Sequence, residues 1–271
     1  GRKSYPGKVV YWQRYRGFES LPFCKKQEII SNSKPFQFKE FTVYQETSAM
    51  KVGTDAVLLG AWCPLGNFPN TILEVGSGTG VVALMLAQRS EAMTIDAVEI
   101  DKNAYEQSVG NFELSDWSDR LYCYHAPFDD FVTEMFEEEE KYDLVVSNPP
   151  FYVDGYETEN DARNKARFTS SLSFENLIIG ASKLLSDSGE FSVIIPFKEE
   201  QNFNKIANQN NLFLNKVCRV KGTESSEIKR SLMSFSFQKK ELKEEELVIE
   251  ISRHQYTEKY IDLTKDFYLK M

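Results

Sequence analysis

Four consecutive residues, Asn148-Pro149-Pro150-Phe151, combine a side-chain amide, a rigid backbone and an aromatic ring. They follow an apolar run, Leu144–Val146, that reads as a buried strand. Proline has no N–H with which to continue a ladder, so the strand must stop there. In open α/β sheets ligands bind outside the carboxyl ends of strands, and this quartet sits at such an end. The chemistry it suits is the handling of a planar amino group. The side-chain oxygen of Asn148 and the carbonyl of Pro149 can each accept one N–H, while Phe151 stacks on the flat group. Taken alone, the quartet favours a turn that merely ends a strand. A second cluster upstream changes that.

Thr71–Val75, which includes Glu74, reads as a strand, Gly76-Ser77-Gly78-Thr79-Gly80 as a turn, and Val81–Ala87 as a helix. Glycines at Gly76, Gly78 and Gly80 let backbone approach a ligand, and the helix N-terminus offers N–H groups to it. The spacing is G-x-G-x-G, without the Gly-Lys-Ser/Thr of a Walker-type phosphate loop. The next strand candidate, Thr94–Val98, ends in Glu99, nineteen positions after Gly80. An acid there can accept both hydroxyls of a ribose. Ahead of this unit, Ala56–Trp62 reads as an apolar helix with Thr54 or Asp55 as its N-cap. A cap is the plain explanation of both polar residues. The functional one is a wall of a cofactor cleft, with Lys51 near an anionic group.

These clusters need elements to position them, and the chain alternates strands and helices. Phe36, Phe38, Phe41 and Val43 suggest a short hairpin at the start. Asn103–Leu114 reads as a helix and Leu121–Tyr124 as a strand, with His125–Asp130 as its terminal loop. Glu137–Glu140 reads as a solvated run before the Asn148 strand. The polar segment from Tyr152 to Ser173, with Arg163, Lys165 and Arg167, suits a substrate-facing loop and an ordinary exposed loop equally. A helix over Phe174–Leu185, a turn at Ser188-Gly189, a strand over Phe191–Ile195 and a helix over 198–209 follow. Strand candidates at 212–220, 232–237 and 247–251 and a helix over 256–268 close the chain. The βα alternation predicts a Rossmann-like, doubly wound, mostly parallel sheet, and the strand-rich end an antiparallel C-terminal edge.

The 271 residues hold one large domain, or one domain with extensions. We expect a single domain over 34–271, preceded by a basic extension over 1–33 that is poorly ordered or non-native. No apolar run approaches a membrane span. Cys24, Cys63, Cys123 and Cys218 are scattered, as expected of reduced thiols in a cytoplasmic protein. With His125 and His254 alone, neither a histidine metal site nor a Ser-His-Asp triad is expected. The net charge is −9, but residues 1–34 carry eight basic and two acidic residues, a surplus of +6, so the remainder carries −15. An acidic body argues against broad, non-specific nucleic-acid binding while leaving room for a local basic patch.

Glu74–Gly80, Glu99 and Asn148–Phe151 together resemble the class I S-adenosylmethionine-dependent methyltransferases, in which Asn-Pro-Pro-Phe/Tyr marks methylation of a planar nitrogen. The likeness extends to Phe38–Phe41, Met50–Asp55, Leu84–Arg89, Ala166–Thr169, Gln255–Tyr260 and Phe267–Leu269. These are similar to a bacterial family that methylates N6 of the adenine beside the anticodon of a valine tRNA. The resemblance covers about Lys34–Met271. It implies the class I methyltransferase fold and S-adenosylmethionine as cofactor, held by Lys51, Thr54, Asp55, Glu74, Gly76, Gly78, Gly80, Glu99 and Phe128. It implies catalysis at Asn148, Pro149, Pro150 and Phe151, and the anticodon loop of tRNA against Tyr152, Arg163 and Arg167. A cytoplasmic monomer without a metal is the accompanying expectation. In one respect the chain departs from the pattern: Pro127 stands where an acid often meets the cofactor's adenine, with Asp129 and Asp130 slightly later. Rival acceptors or roles are a protein glutamine amide, a nicotinamide oxidoreductase and a non-catalytic tRNA-binding protein.

Overall fold

Five strands make the parallel half of the sheet: β3 (Thr71–Val75), β4 (Thr94–Glu99), β5 (Leu121–His125), β6 (Tyr142–Ser147) and β7 (Leu185–Pro196). Ile72, Leu73, Ile95, Ala97, Leu144–Val146 and Val193–Ile195 are all buried. Strands covered on both faces read as continuous apolar runs, which is why these segments were recognisable. The computed structural model describes residues 34–150 and 172–271. A two-stranded hairpin, β1 (Phe36–Gln37) and β2 (Thr42–Val43), stands apart from a nine-stranded sheet. Among the described residues the α-helices are α1 (Thr54–Trp62), α2 (Val81–Arg89), α3 (Lys102–Glu113), α4 (Phe128–Glu137), α5 (Phe174–Leu184), α6 (Glu200–Gln209) and α7 (Glu258–Thr264). Among the described residues, no helix is long and apolar enough to cross a membrane.

The last strands are β8 (Phe213–Thr223), β9 (Ile228–Ser236), β10 (Lys243–Ser252) and β11 (Gln255–Tyr256). The sheet order is β11-β10-β8-β9-β7-β6-β3-β4-β5. β9 runs antiparallel to both β7 and β8, the expected antiparallel edge. β10 then returns parallel to β8, with β11 antiparallel beyond it. The chain leaves β3 in one direction, through β4 and β5, and then crosses to build β6 and β7 on the other side. The switch point therefore lies between β3 and β6, where ligands bind in such sheets.

Four expectations need correction. Phe128–Asp130 do not end a loop: they open α4 (Phe128–Glu137), which buries Phe128, Phe131, Val132 and Met135 on one face and carries Asp129 and Asp130 in its first turn. Acids there complement the helix dipole. Neither Thr54 nor Asp55 caps α1: the helix begins at Thr54 and its N-cap is Gly53, which makes no side-chain cap bond. The turn at Ser188-Gly189 is a bulge inside β7, since Tyr142 pairs with Leu185 but Leu144 already with Glu190. The closing helix is also shorter than expected, because Gln255–Tyr256 is taken by β11 and Thr257 caps α7 by accepting from the Tyr260 N–H at 3.2 Å.

Candidate active site

Register brings the sequence clusters together. Val75 pairs with Val98 on one side and with Ser147 on the other. The next residues along β3, β4 and β6 are Gly76, Glu99 and Asn148, so these three end adjacent strands in one row. Neighbouring strands lie about 4.8 Å apart, which puts the β4 and β6 ends about 10 Å from each other with the glycine turn between.

The turn is held from several sides. Gly76, Gly78 and Gly80 have φ of 77°, 58° and 75°, in the left-handed region that side chains disfavour. The Gly76 and Ser77 N–H groups donate to the Val98 carbonyl at 2.9 and 3.3 Å, and the Gly80 N–H to Ser77 O at 2.8 Å. Half-buried Glu99 accepts from the Gly78 N–H through Oε2 at 2.8 Å and from the Asp101 N–H through Oε1 at 2.9 Å. Each carboxylate oxygen retains a further lone pair for an incoming hydroxyl. A Cβ placed on Gly76 or Gly78 would meet no protein atom within 4 Å, whereas on Gly80 it would lie 2.5 Å from the Phe112 ring. Bare backbone thus faces open space at the first two glycines, beside a carboxylate. That cradle fits a nucleoside bearing a charged tail.

The other expected residues have varied surroundings. Glu74 is 3% exposed, and its Oε2 accepts from the Ala83 N–H at 3.0 Å, in the first turn of α2. Burial, with Glu99 adding to it, holds the Glu74 carboxyl well above the usual carboxylate range, against the opposing Ala83 bond. Exposed Lys51 donates to the carbonyls of Gln45 and Glu46. Thr54 is exposed, and Asp55 accepts from Arg230 Nε at 2.7 Å, tying α1 to β9. Phe128 is buried against Gly180 of α5, where a Cβ would come within 2.4 Å of its ring. Asp129 accepts from Asn176 Nδ2 at 3.0 Å. Asn148 is half-buried, Pro149 buried and Pro150 exposed. Phe151, Tyr152, Arg163, Lys165 and Arg167 lie outside the described residues, as does the extension over 1–33.

Sequence reasoning passed over Ser108 and Asn111 of α3, both buried against the glycine turn. The signal available was two polar residues at i and i+3 on the same face as Ala104 and Phe112. Among the described residues, no group of three or more His, Cys, Asp or Glu is placed to hold a metal ion.

Comparison with known proteins bears on this geometry. The family model for the methyltransferase small domain matches residues 53–213. A tRNA1(Val) (adenine(37)-N6)-methyltransferase of Christiangramia forsetii is 58% identical over 240 residues, 89% of this chain and 100% of the relative. A protein of the same name from Flavobacterium psychrophilum is 56% identical over 236 residues, 87% of this chain and 100% of the relative. Among solved structures, a predicted O-methyltransferase from Agrobacterium tumefaciens superposes with a TM-score of 0.60 at 19% identity, covering 79% of this chain and 96% of that one. At that identity the likeness is one of fold alone.

Proposed function

The chain belongs to the tRNA1(Val) (adenine(37)-N6)-methyltransferases of the methyltransferase small-domain family, and from that premise we propose how its residues share the reaction. The reaction is methylation of N6 of adenine 37 in a valine tRNA, with S-adenosylmethionine as methyl donor. The observation that carries the assignment of roles is the single row formed by Gly76, Glu99 and Asn148 at the switch point.

When bound, S-adenosylmethionine supplies an activated sulfonium methyl. Glu99 holds ribose hydroxyls, and the Gly76–Gly80 turn takes the amino-acid end. Asn148 and the Pro149 carbonyl each accept one N–H of the target amine. That amine is a poor nucleophile because its lone pair is delocalised into the ring. Two acceptors favour a pyramidal nitrogen and strengthen as positive charge develops on it, which is where binding accelerates reaction. The rigid Pro149-Pro150 backbone keeps both acceptors in position, and in-line alignment supplies most of the remaining advantage. Phe151 stacks on the unstacked base, and Tyr152, Arg163 and Arg167 contact the anticodon loop, where a base leaves its stack most easily.

We keep Lys51, Thr54, Asp55, Glu74 and Phe128 as residues of the cofactor side, three of them with a bracing role as well. Glu74 fixes the start of α2, Asp55 fixes α1 to Arg230, and Phe128 packs α4 on α5. We read the enzyme as a cytoplasmic, metal-free monomer, on the scattered cysteines and the two lone histidines. The test is mass spectrometry of nucleosides from unmodified tRNA incubated with protein and labelled cofactor. Labelled N6-methyladenosine is expected. Label in a protein glutamine, with none in nucleosides, would overturn the reading.

A further inference from the structure

Helix α3 presents two polar residues and one aromatic residue to successive parts of the glycine turn. The Ser108 hydroxyl donates to the Gly78 carbonyl at 3.0 Å and lies 3.1 Å from the Ser77 hydroxyl. Asn111 Nδ2 donates to the Thr79 carbonyl at 2.8 Å. Phe112 fills the space beside Gly80. Ser108 and Asn111 are 0% and 1% exposed, so no water competes for these bonds.

Asn111 does more than grip the turn. Its Nδ2 also donates to the Tyr44 carbonyl at 2.8 Å, and its Oδ1 accepts from the Tyr44 N–H at 2.9 Å. One turn of helix back, Gln107 Oε1 lies 3.1 Å from the Thr47 hydroxyl and 3.2 Å from its N–H. Residues 44–47 therefore run along α3, and that segment leads directly to Lys51–Asp55. Among the described residues, Asn111 alone has a side chain that bonds to both the segment and the glycine turn. Gly78 itself is held on both sides, its N–H by Glu99 and its C=O by Ser108.

We infer that Ser108 and Asn111 are positioning residues for the cofactor: they hold the Gly78 and Thr79 carbonyls, and so set the shape of the turn and the aim of Glu99. Neither touches the reacting atoms. The inference rests on the cofactor reading above. Losing a donor leaves a buried carbonyl unpartnered beside a peptide that must keep positive φ, and the turn then relaxes away from its binding shape.

The experiment is calorimetric titration of S-adenosylmethionine into the full chain, with melting temperature and steady-state kinetics on tRNA. Ser108→Ala should raise the cofactor Kd about 3–10-fold and Asn111→Leu about 10-fold or more, as expected for one and for several lost hydrogen bonds. Cofactor KM should rise in parallel while kcat at saturating cofactor stays within about threefold, the signature of lost binding rather than lost chemistry. Gln107→Leu releases the Thr47 N–H, leaves the Thr47 hydroxyl its bond to the Asn103 carbonyl at 3.2 Å and does not touch the turn, so its Kd should stay within about twofold of wild type. Wild-type affinity in Ser108→Ala and Asn111→Leu, or equal weakening in Gln107→Leu, overturns the inference. Should Asn111→Leu fail to fold, Ser108→Ala decides. Wild-type protein that binds no S-adenosylmethionine would overturn the cofactor reading and this inference with it, whereas normal wild-type binding with unaffected variants strikes the inference alone.

Discussion

Glu99 engages both carboxylate oxygens with backbone N–H groups, one from the glycine turn and one from Asp101 at the start of α3. A residue so anchored presents its remaining lone pairs in a fixed direction, which suits two adjacent hydroxyls. Glu99→Ala should weaken S-adenosylmethionine binding by about 1.5–3 kcal/mol, the worth of hydrogen bonds to a charged group. Calorimetry checks it, and unchanged affinity would remove Glu99 from the site. Glu74 is a different case, because its carboxylate is buried and its pKa raised well above 4.5. A carboxyl raised on folding contributes stability that is complete below its unfolded pKa and is lost as pH rises through the folded one. Wild type should therefore lose stability, from this group, as pH climbs above about 4.5. Glu74→Gln keeps an acceptor for the Ala83 N–H without the buried charge. It should melt higher than wild type at neutral pH, by about 2–4 °C for each kcal/mol recovered, and the gap should close in acid. A gap that widens in acid would contradict the assignment. Glu99 was legible in the sequence as the acid that ends a strand, whereas Glu74 was read only as part of a strand and its role was not. Its partner, Ala83, is set by how β3 meets α2.

At the scale of elements, β3, β6 and the end of β7 were legible because burial on both faces leaves short, mostly aliphatic runs. The glycine turn was legible because positive φ demands its residue type. Helix α4 was not, since Asp129 and Asp130 resemble loop residues until the apolar spacing of Phe128, Phe131, Val132 and Met135 is weighed against them. Nor was the role of Asn111, whose partners Tyr44 and Thr79 stand 67 and 32 positions away. Close helix approach through a glycine was equally hidden. At Gly180 an added Cβ would come within 2.4 Å of the Phe128 ring and 2.9 Å of Val132, both on α4. Gly180→Ala should force α4 and α5 apart and cost about 1–3 kcal/mol, as overpacking does. Urea unfolding measures it. A neutral or stabilising effect would mean that the helices yield freely there.

Across the whole molecule, the sheet ends that matter sit in an otherwise acidic body, so recognition of tRNA must rest on local cations rather than on overall charge. We propose that residues 34–271 are the functional domain and that the basic stretch over 1–33 is dispensable. A chain beginning at Lys34 should keep the melting temperature and the tRNA activity of the full chain. Normal cofactor binding with lost tRNA methylation would instead make the basic stretch part of substrate recognition. The central claim, that the row of strand ends closes on an adenine amine at Asn148, is tested most directly by one comparison. Wild type and Asn148→Ala are each incubated with unmodified tRNA at saturating cofactor, and N6-methyladenosine is quantified in the anticodon-loop fragment. The account predicts methylation of that fragment by wild type and a loss of about 100-fold or more in Asn148→Ala, on the scale of a lost acceptor that acts mainly in the transition state. Comparable methylation by the two proteins would contradict it.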